Sequence, residues 1–357
     1  MGQCGEGRRV APQKIIIDCD PGVDDALALI FAHGHPGLDL RGITTVAGNV
    51  GLDATTANAL RVRDYIGMRD VPVAAGSAGP LLGPVIDARH VHGASGLGGA
   101  RIPAAASGTA AGHAVDYLIE AISAAPGEIT LIAIGPLTNV ALAVRRHPAL
   151  TSLVRNFVIM GGSAGRGNVT PAAEFNIAAD PEAAAIVFDA GWTVTMVGLD
   201  VTLQARATPA VRERMRGLGR LAGELLLPSL AGYHASEAGP SSPASAPDAP
   251  DPSEPPAAAP AVAPSTTAPA AAPDNEAGPA VHDVCAVARV AQPSVISCLP
   301  ARVQVETAGR HTTGMTVTDF DDPPAERNAL VATGIDVKAF WDLVLDSYAR
   351  VAAGMTP

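Results

Sequence analysis

This sequence predicts a single α/β domain: a mostly parallel open sheet flanked by helices, interrupted by one disordered Pro/Ala-rich insertion. Three observations carry that expectation. From about Lys14 to Asp200, short β-branched apolar runs alternate with amphipathic segments, the sequence sign of βαβ units wound on a parallel sheet. Polar residues gather where the apolar runs stop, and open α/β sheets place their ligands at those strand ends. One later stretch, residues 240–280, breaks both patterns.

Taken in order, strands are predicted at Lys14–Asp18, Leu40–Val46, Val71–Ala74, Glu128–Ile134, Asn156–Met160 and Thr193–Gly198. Their near-continuous apolar character is what burial on both faces requires. Helices are expected at Asp24–Ala32, Asp53–Ile66, Ala111–Ala124, Thr138–Arg146 and Pro181–Asp189, and another around Leu221–Leu230. The 240–280 stretch then holds 12 of the 31 prolines, no aromatic residue, and Val262 as its only branched aliphatic. It cannot bury enough apolar surface to offset the entropy of ordering, so it is expected to be disordered or PPII-like. The sheet pattern is incomplete before it, which makes it an insertion within one domain spanning 13–357, after a flexible N-terminus at 1–12. Beyond it come an Ala/Val-rich helix His282–Ala291, strand-like pieces near Val295 and Val303, and an amphipathic helix Asp336–Ala352.

Composition removes several classes of function. The chain has 357 residues, 48% of them apolar and 17% charged, enough for one large core. No run approaches the roughly 18 uninterrupted apolar residues of a membrane span, so no membrane partner is expected. A formal charge of -11 and a pI near 5.2 disfavour nucleic acid, which wants a basic face. A small neutral or cationic ligand, or a metal ion, suits the balance better. The four cysteines, Cys4, Cys19, Cys285 and Cys298, show no CxxC spacing and read as reduced thiols in the cytosol. The polar, glycine-rich N-terminus lacks the apolar core of a secretory signal, so a cytoplasmic location is expected. Lys14 and Lys338 are the only lysines and alanine is abundant, which suits a GC-rich bacterial genome.

The strongest chemical signal is Ile15-Ile16-Ile17-Asp18-Cys19-Asp20-Pro21-Gly22-Val23-Asp24-Asp25. An apolar strand runs into a Pro-Gly turn that aims four carboxylates into one small volume before a helix starts. Helix capping by Asp24, with acids favouring the helix dipole, accounts for one or two of them. Four like charges are costly unless a cation neutralises them, and oxygen donors favour Ca²⁺ or Mg²⁺ over zinc. The remaining candidates are individually weak. His282-Asp283 opens a helix directly after the insertion. Gly167-Asn168 and Glu174-Phe175-Asn176 offer side chains that could hold sugar hydroxyls, and otherwise read as turn residues. His90-Val91-His92 would place two imidazoles on opposite faces of an extended segment, and Asn49 ends the run from Thr44.

In combination these motifs are recognisable. Asp18 to Asp25, Thr44 to Asn49, His92-Gly93 with Gly96-Leu97-Gly98, Ile134-Gly135-Pro136-Leu137-Thr138-Asn139, Met160-Gly161-Gly162, Glu174-Phe175-Asn176 with Asp180-Pro181-Glu182-Ala183, and His282-Asp283 occur in the order seen in nucleoside hydrolases. The chain closely resembles the inosine-uridine preferring family over nearly all its length, except the first dozen residues and 240–280.

The resemblance implies Ca²⁺-dependent hydrolysis of the N-glycosidic bond of ribonucleosides to ribose and free base, in nucleoside catabolism and salvage, by direct attack of a metal-bound water. It implies that Asp20, Asp25, Asp283 and the Thr138 backbone carbonyl hold the ion, with Asp20 also the general base. Asp24, Asn49, Asn168, Glu174 and Asn176 would bind ribose with Met160 packed beside it, His92 would lie near the base, and His282 would be the acid for the leaving group. A homodimer or homotetramer is implied too. The insertion falls in the segment that the family uses over the base pocket, so Tyr233 and His234 are candidates only and base preference is open.

Two rival readings differ in class. A haloacid-dehalogenase-like phosphatase also starts with a strand ending in DxD, but expects Thr or Val two residues past the second Asp, where Gly22 stands, and a later lysine that neither Lys14 nor Lys338 supplies. A non-catalytic nucleoside or calcium binder of the same fold would need neither Asp20 as base nor His282 as acid. Because loop closure grows only logarithmically with length, replacing residues 241–278 by a short Gly/Ser link is expected to change stability by roughly 1 to 2 kcal/mol at most, read from thermal melts. A large loss would show that the segment packs.

Overall fold

Side chains of the first strand point alternately to two hydrophobic layers. Ile15, Ile17 and Cys19 enter one and Ile16 the other, all fully buried. The computed structural model describes residues 11–237 and 278–355. Its strands are β1 (Gln13–Cys19), β2 (Leu38–Thr45), β3 (Val73–Ala75), β4 (Ile129–Ala133), β5 (Asn156–Met160), β6 (Val194–Val197), β7 (Ile296–Val305), β8 (Thr316–Asp319) and β9 (Ala329–Ile335). They form one nine-stranded sheet in the order β3-β2-β1-β4-β5-β6-β9-β7-β8.

Pairing is parallel from β3 through to β9, with Ile17 beside both Ile43 and Ile132. Only β7 runs antiparallel, to β9 and to β8. Helices Val23–Gly34, Leu52–Tyr65, Asp283–Ala291 and Val337–Gly354 cover the face that receives Ile15 and Ile17. Helices Ala114–Ala124, Thr138–Arg146 and Pro181–Phe188 cover the other. The strand order reverses between β1 and β4, and such a switch point opens a crevice at the carboxyl ends of the strands.

The six predicted strands are all present, with ends moved by no more than two residues. The predicted helix Ala111–Ala124 starts at Ala114 instead, because Gly112 sits at φ +90° and the His113 Nδ1 caps the helix by accepting the Val115 N–H at 3.2 Å. The two pieces expected near Val295 and Val303 are one strand, β7, and strands β8 and β9 have no counterpart in the sequence-based expectation. Among the described residues, no helix is long and apolar enough to cross a membrane.

Residues 1–10 and 238–277 lie outside the described residues, and with them the expectations for a flexible N-terminus and for most of the Pro/Ala-rich stretch. Its last three residues are described and buried. Arg206 Nη1 donates to the Gly278 carbonyl at 2.9 Å, the Ala207 N–H to that of Pro279 at 2.8 Å, and Ala280 bridges Arg206. Gly278 has φ +75°, and a Cβ there would lie 2.2 Å from the Ala207 oxygen. Any excision must therefore stop at 277, one residue short of the segment named above.

The first and last helices meet at Gly34, where a Cβ would stand 2.1 Å from the Ser347 carbonyl oxygen. Nearby, the buried Tyr348 hydroxyl donates to Leu27 O at 3.1 Å. Gly34→Ala forces these helices apart and is expected to cost about 1 to 3 kcal/mol, the usual range for overpacking, as measured by urea denaturation. An unchanged midpoint would show that the helices slide freely there.

Candidate active site

Four adjacent strand ends supply the site. After β1 the chain turns at Pro21-Gly22, and Gly22 caps the helix Val23–Gly34. A Cβ on Gly22 would sit 2.4 Å from His92 Nδ1, so only glycine fits this turn. Asp25, not Asp24, does the capping. Its Oδ2 accepts the Gly22 N–H at 2.9 Å and Asn49 Nδ2 at 3.0 Å, while its Oδ1 accepts the Asp20 N–H at 3.1 Å. Asp20 Oδ2 accepts the Asn49 N–H at 2.6 Å, and its Oδ1 is buried with no hydrogen-bond partner.

Asp283, first residue of the helix Asp283–Ala291, completes the cluster. One carboxylate oxygen each from Asp24, Asp25 and Asp283 lies within 4.8 Å of the others. Burial, then mutual repulsion, holds Asp20 and Asp283 well above the usual carboxylate range, and burial raises Asp25, which Asp283 hydrogen-bonds. An orphaned carboxylate oxygen beside converging carboxylates is an arrangement that a hard cation satisfies.

Asp18 departs from the expectation of four carboxylates in one volume. It is buried beneath the cluster, and its Oδ1 accepts the Thr44 hydroxyl at 2.5 Å and Asn139 Nδ2 at 2.9 Å. Its place in the cluster goes to Asp283. Thr138 is likewise not brought to the site. It begins the helix Thr138–Arg146, so its carbonyl enters the helical ladder, and its hydroxyl donates to Asp180 at 2.6 Å. The backbone that does reach the site is that of Ile134, at the end of β4, whose carbonyl accepts Asn176 Nδ2 at 3.1 Å.

Around these groups lies a cavity of about 470 Å³, a size suited to a small organic ligand. Asp24, Asn49, Ile134, Met160, Asn168, Glu174, Asn176 and Asp283 line one end. Asn176 Nδ2 also reaches the Met160 carbonyl at 3.1 Å, and Asn168 Oδ1 accepts the Phe175 N–H at 3.0 Å. Glu174 caps the short helix Phe175–Ala179 by accepting the Ile177 N–H at 3.3 Å and also accepts the Gly162 N–H at 2.8 Å, yet burial pushes its carboxyl up to about 7. The other end is apolar and aromatic, with Ile86, Val91, Leu203, Phe175 and Tyr233, joined by Asp87 and His90.

The His90 to His92 segment is not extended. It is a helical turn, Arg89–His92, with His90 exposed and His92 buried. His92 Nδ1 accepts the Val23 N–H at 3.0 Å, and its ring centroid lies 5.1 Å from that of Tyr233. Burial holds its pKa down at about 3. His282 Nδ1 pairs with the Thr202 hydroxyl at 2.8 Å, and burial with a contribution from Arg206 lowers its pKa to about 4. The His234 side chain lies outside the described part.

Comparison with known proteins places nearly the whole chain. The family model described as inosine-uridine preferring nucleoside hydrolase matches residues 15–342. The chain belongs to the inosine-uridine preferring nucleoside hydrolase family. It is 41% identical to the inosine-uridine preferring nucleoside hydrolase of Leishmania major over 343 residues, 95% of this chain and 98% of that one. It is 39% identical to the non-specific ribonucleoside hydrolase RihC of Salmonella typhi, across 96% of this chain and 99% of the relative. Among solved structures, the purine-preferring ribonucleoside hydrolase from Gardnerella vaginalis superposes with a TM-score of 0.81 at 30% identity, covering 95% of this chain and 99% of its own.

Several residues of this nucleoside hydrolase site carry no signal of their own in the sequence. Ile134 acts through its backbone, Thr202 is a plain helix residue, and Asn139 reads as one more member of a helix start. For His92, the unfolded chain protonates near 6.5 while the folded state holds the ring neutral down to about 3. Its contribution to stability is therefore complete above pH 6.5 and lost as pH falls toward 3, with a slope of about 1.4 kcal/mol per unit. The stability gap between the parent and His92→Asn should accordingly shrink by roughly 2 kcal/mol between pH 7 and 5. Urea melts at both pH values measure it, and a constant gap would show that folding leaves this ring's charge state unchanged.

Proposed function

We propose that this nucleoside hydrolase uses Ca²⁺ at the Asp20, Asp25 and Asp283 cluster and cleaves ribonucleosides by direct displacement with water. The partnerless, buried Oδ1 of Asp20 beside three converging carboxylates is the observation that carries the reading. The donors are all hard oxygens, and the Ile134 carbonyl takes the place first expected for Thr138. When bound, the cation lowers the pKa of a water and grips the ribose diol.

Asp20 accepts a proton from the attacking water as the new C–O bond forms at the anomeric carbon. The C–N bond breaks and its electron pair leaves on the base nitrogen. Positive charge builds on the ribose in between, and Asp24 and Glu174, with the amide oxygens of Asn49, Asn168 and Asn176, stabilise it. His282, its ring oriented by the pairing of Nδ1 with the Thr202 hydroxyl, donates its Nε2 proton to the departing base from the imidazolium form and is left neutral. His92, Tyr233 and the apolar end of the cavity receive the base. The three described cysteines are free thiols, in keeping with a reducing cytoplasm, and a homodimer or homotetramer belongs to the same reading.

Ribose release from inosine, uridine, cytidine, adenosine and guanosine, with and without a chelator, tests the proposal. Asp25→Ala should lose Ca²⁺ and activity together, and Asp20→Asn should retain some Ca²⁺ without turnover. His282→Ala should slow inosine by about 10² to 10⁴, the range of general acid catalysis, while sparing p-nitrophenyl riboside, whose leaving group needs no proton. Full activity of metal-free Asp25→Ala would overturn the metal assignment. Equal losses on both substrates would remove His282 from the role of acid.

A further inference from the structure

Asp20 is held in a slot between two loops that do not belong to its own strand. A Cβ on Gly48, after β2, would lie 2.1 Å from Asp20 Oδ2, and one on Gly135, after β4, would lie 2.5 Å from Oδ1. Main-chain pairing stops just below this level. The Val46 N–H reaches Cys19 O at 3.0 Å and the Ile134 N–H reaches Asp18 O at 2.8 Å. Above these bonds the separation of the two walls has to be set by side chains.

Asn139 is placed to set it. It is fully buried in the first turn of the helix Thr138–Arg146, four residues beyond Gly135. Its Nδ2 donates to Asp18 Oδ1 at 2.9 Å and to the Thr45 carbonyl at 3.0 Å. Its Oδ1 accepts the Ser77 N–H at 2.9 Å, and a Cβ on Gly76 would come within 2.3 Å of that oxygen. One amide thus ties together the carboxyl ends of β3, β2, β1 and β4, which are consecutive in the sheet. Thr44 adds a second strap by donating from β2 to the same Asp18 oxygen at 2.5 Å.

We infer that Asn139, with Thr44, is a positioning residue that acts through Asp18 to set the gap between Gly48 and Gly135, and with it the placement of the Asp20 carboxylate. Asn139 is fully buried and both atoms of its amide are taken up by protein groups, so it acts from behind the site through Asp18. The inference rests on the reading of Asp20 as ligand and base given above. Outer partners of metal ligands commonly change affinity by 10- to 100-fold when removed, because they fix the angle at which the ligand meets the ion.

Calorimetric titration of Ca²⁺ into the chelator-treated full chain tests it, with thermal melts to establish folding. Asn139→Ala is expected to weaken Ca²⁺ binding by about 10- to 100-fold. Thr44→Val keeps the shape but removes the hydroxyl, and should weaken binding in the same direction. Thr44→Ser keeps the hydroxyl and should bind Ca²⁺ as the parent does, a rescue that loss of packing alone would not produce. If Asn139→Ala fails to fold, the Thr44 pair decides. Parental Ca²⁺ affinity in folded Asn139→Ala, or in Thr44→Val, would overturn the positioning role. An unsubstituted chain that hydrolyses inosine without taking up Ca²⁺ would overturn the metal reading, and this inference with it.

Discussion

Repulsion among buried carboxylates is the constraint around which this structure is arranged. Asp20, Asp24, Asp25 and Asp283 are all removed from water; Asp24 and Asp283 reach the cavity wall, and among the described residues no Lys or Arg lines it. Without a counter-charge such a group gives up its charge by holding protons, which is what the raised carboxyls of Asp20, Asp25 and Asp283 express. The backbone supplies partial relief through the N–H groups of Asp20, Gly22 and Asn49. A metal ion bound there would supply the rest, so the electrostatic problem that the fold creates matches the metal dependence of the family.

Burial acts on the two kinds of titrating group with opposite sign. Glu174 and Asp18, raised to about 7, bind protons more tightly when folded, so their contribution to stability is present at low pH and is lost as pH rises through 7. His92 and His282, lowered to about 3 and about 4, contribute above 6.5 and lose that contribution in acid. Polar chemistry enclosed by an apolar sheet therefore leaves the protein with opposed proton linkages, those of Glu174, His92 and His282 at the cavity itself and that of Asp18 beneath it.

Much of this was legible in the sequence because it is periodic or because the chemistry needs a rare combination of residues. β1 and β4 to β6 read clearly as apolar runs, since a strand covered on both faces has no polar alternation to confuse it. β8 and β9 did not, because the antiparallel end of the sheet is half exposed and its strands mix Thr, Asp and Gly with Val. The Asp20 to Asp25 turn was visible from its crowded carboxylates, and the family resemblance joined it to Asp283 across the insertion. Backbone groups were not visible. A carbonyl carries no residue signature, so only the helix start, which commits the Thr138 carbonyl to the helix, moves the proposed ligand to Ile134. Asp18 shows the opposite error: its identity invited a place in the cluster, while strand geometry puts it one layer below.

The placement of Asp283 has a consequence for how this protein is made. The acid cluster draws on the first helix and on a helix that follows six of the nine strands, and β7, β8, β9 and the last helix come later still. A chain emerging from the ribosome thus exposes the aspartate-rich turn long before the residue that completes it. Until then the turn offers an ion only part of its oxygen shell, and capture of the cation falls late in synthesis. The metal centre thereby becomes a checkpoint on completeness: a chain that stops short of Asp283 keeps most of its strands but cannot close the site.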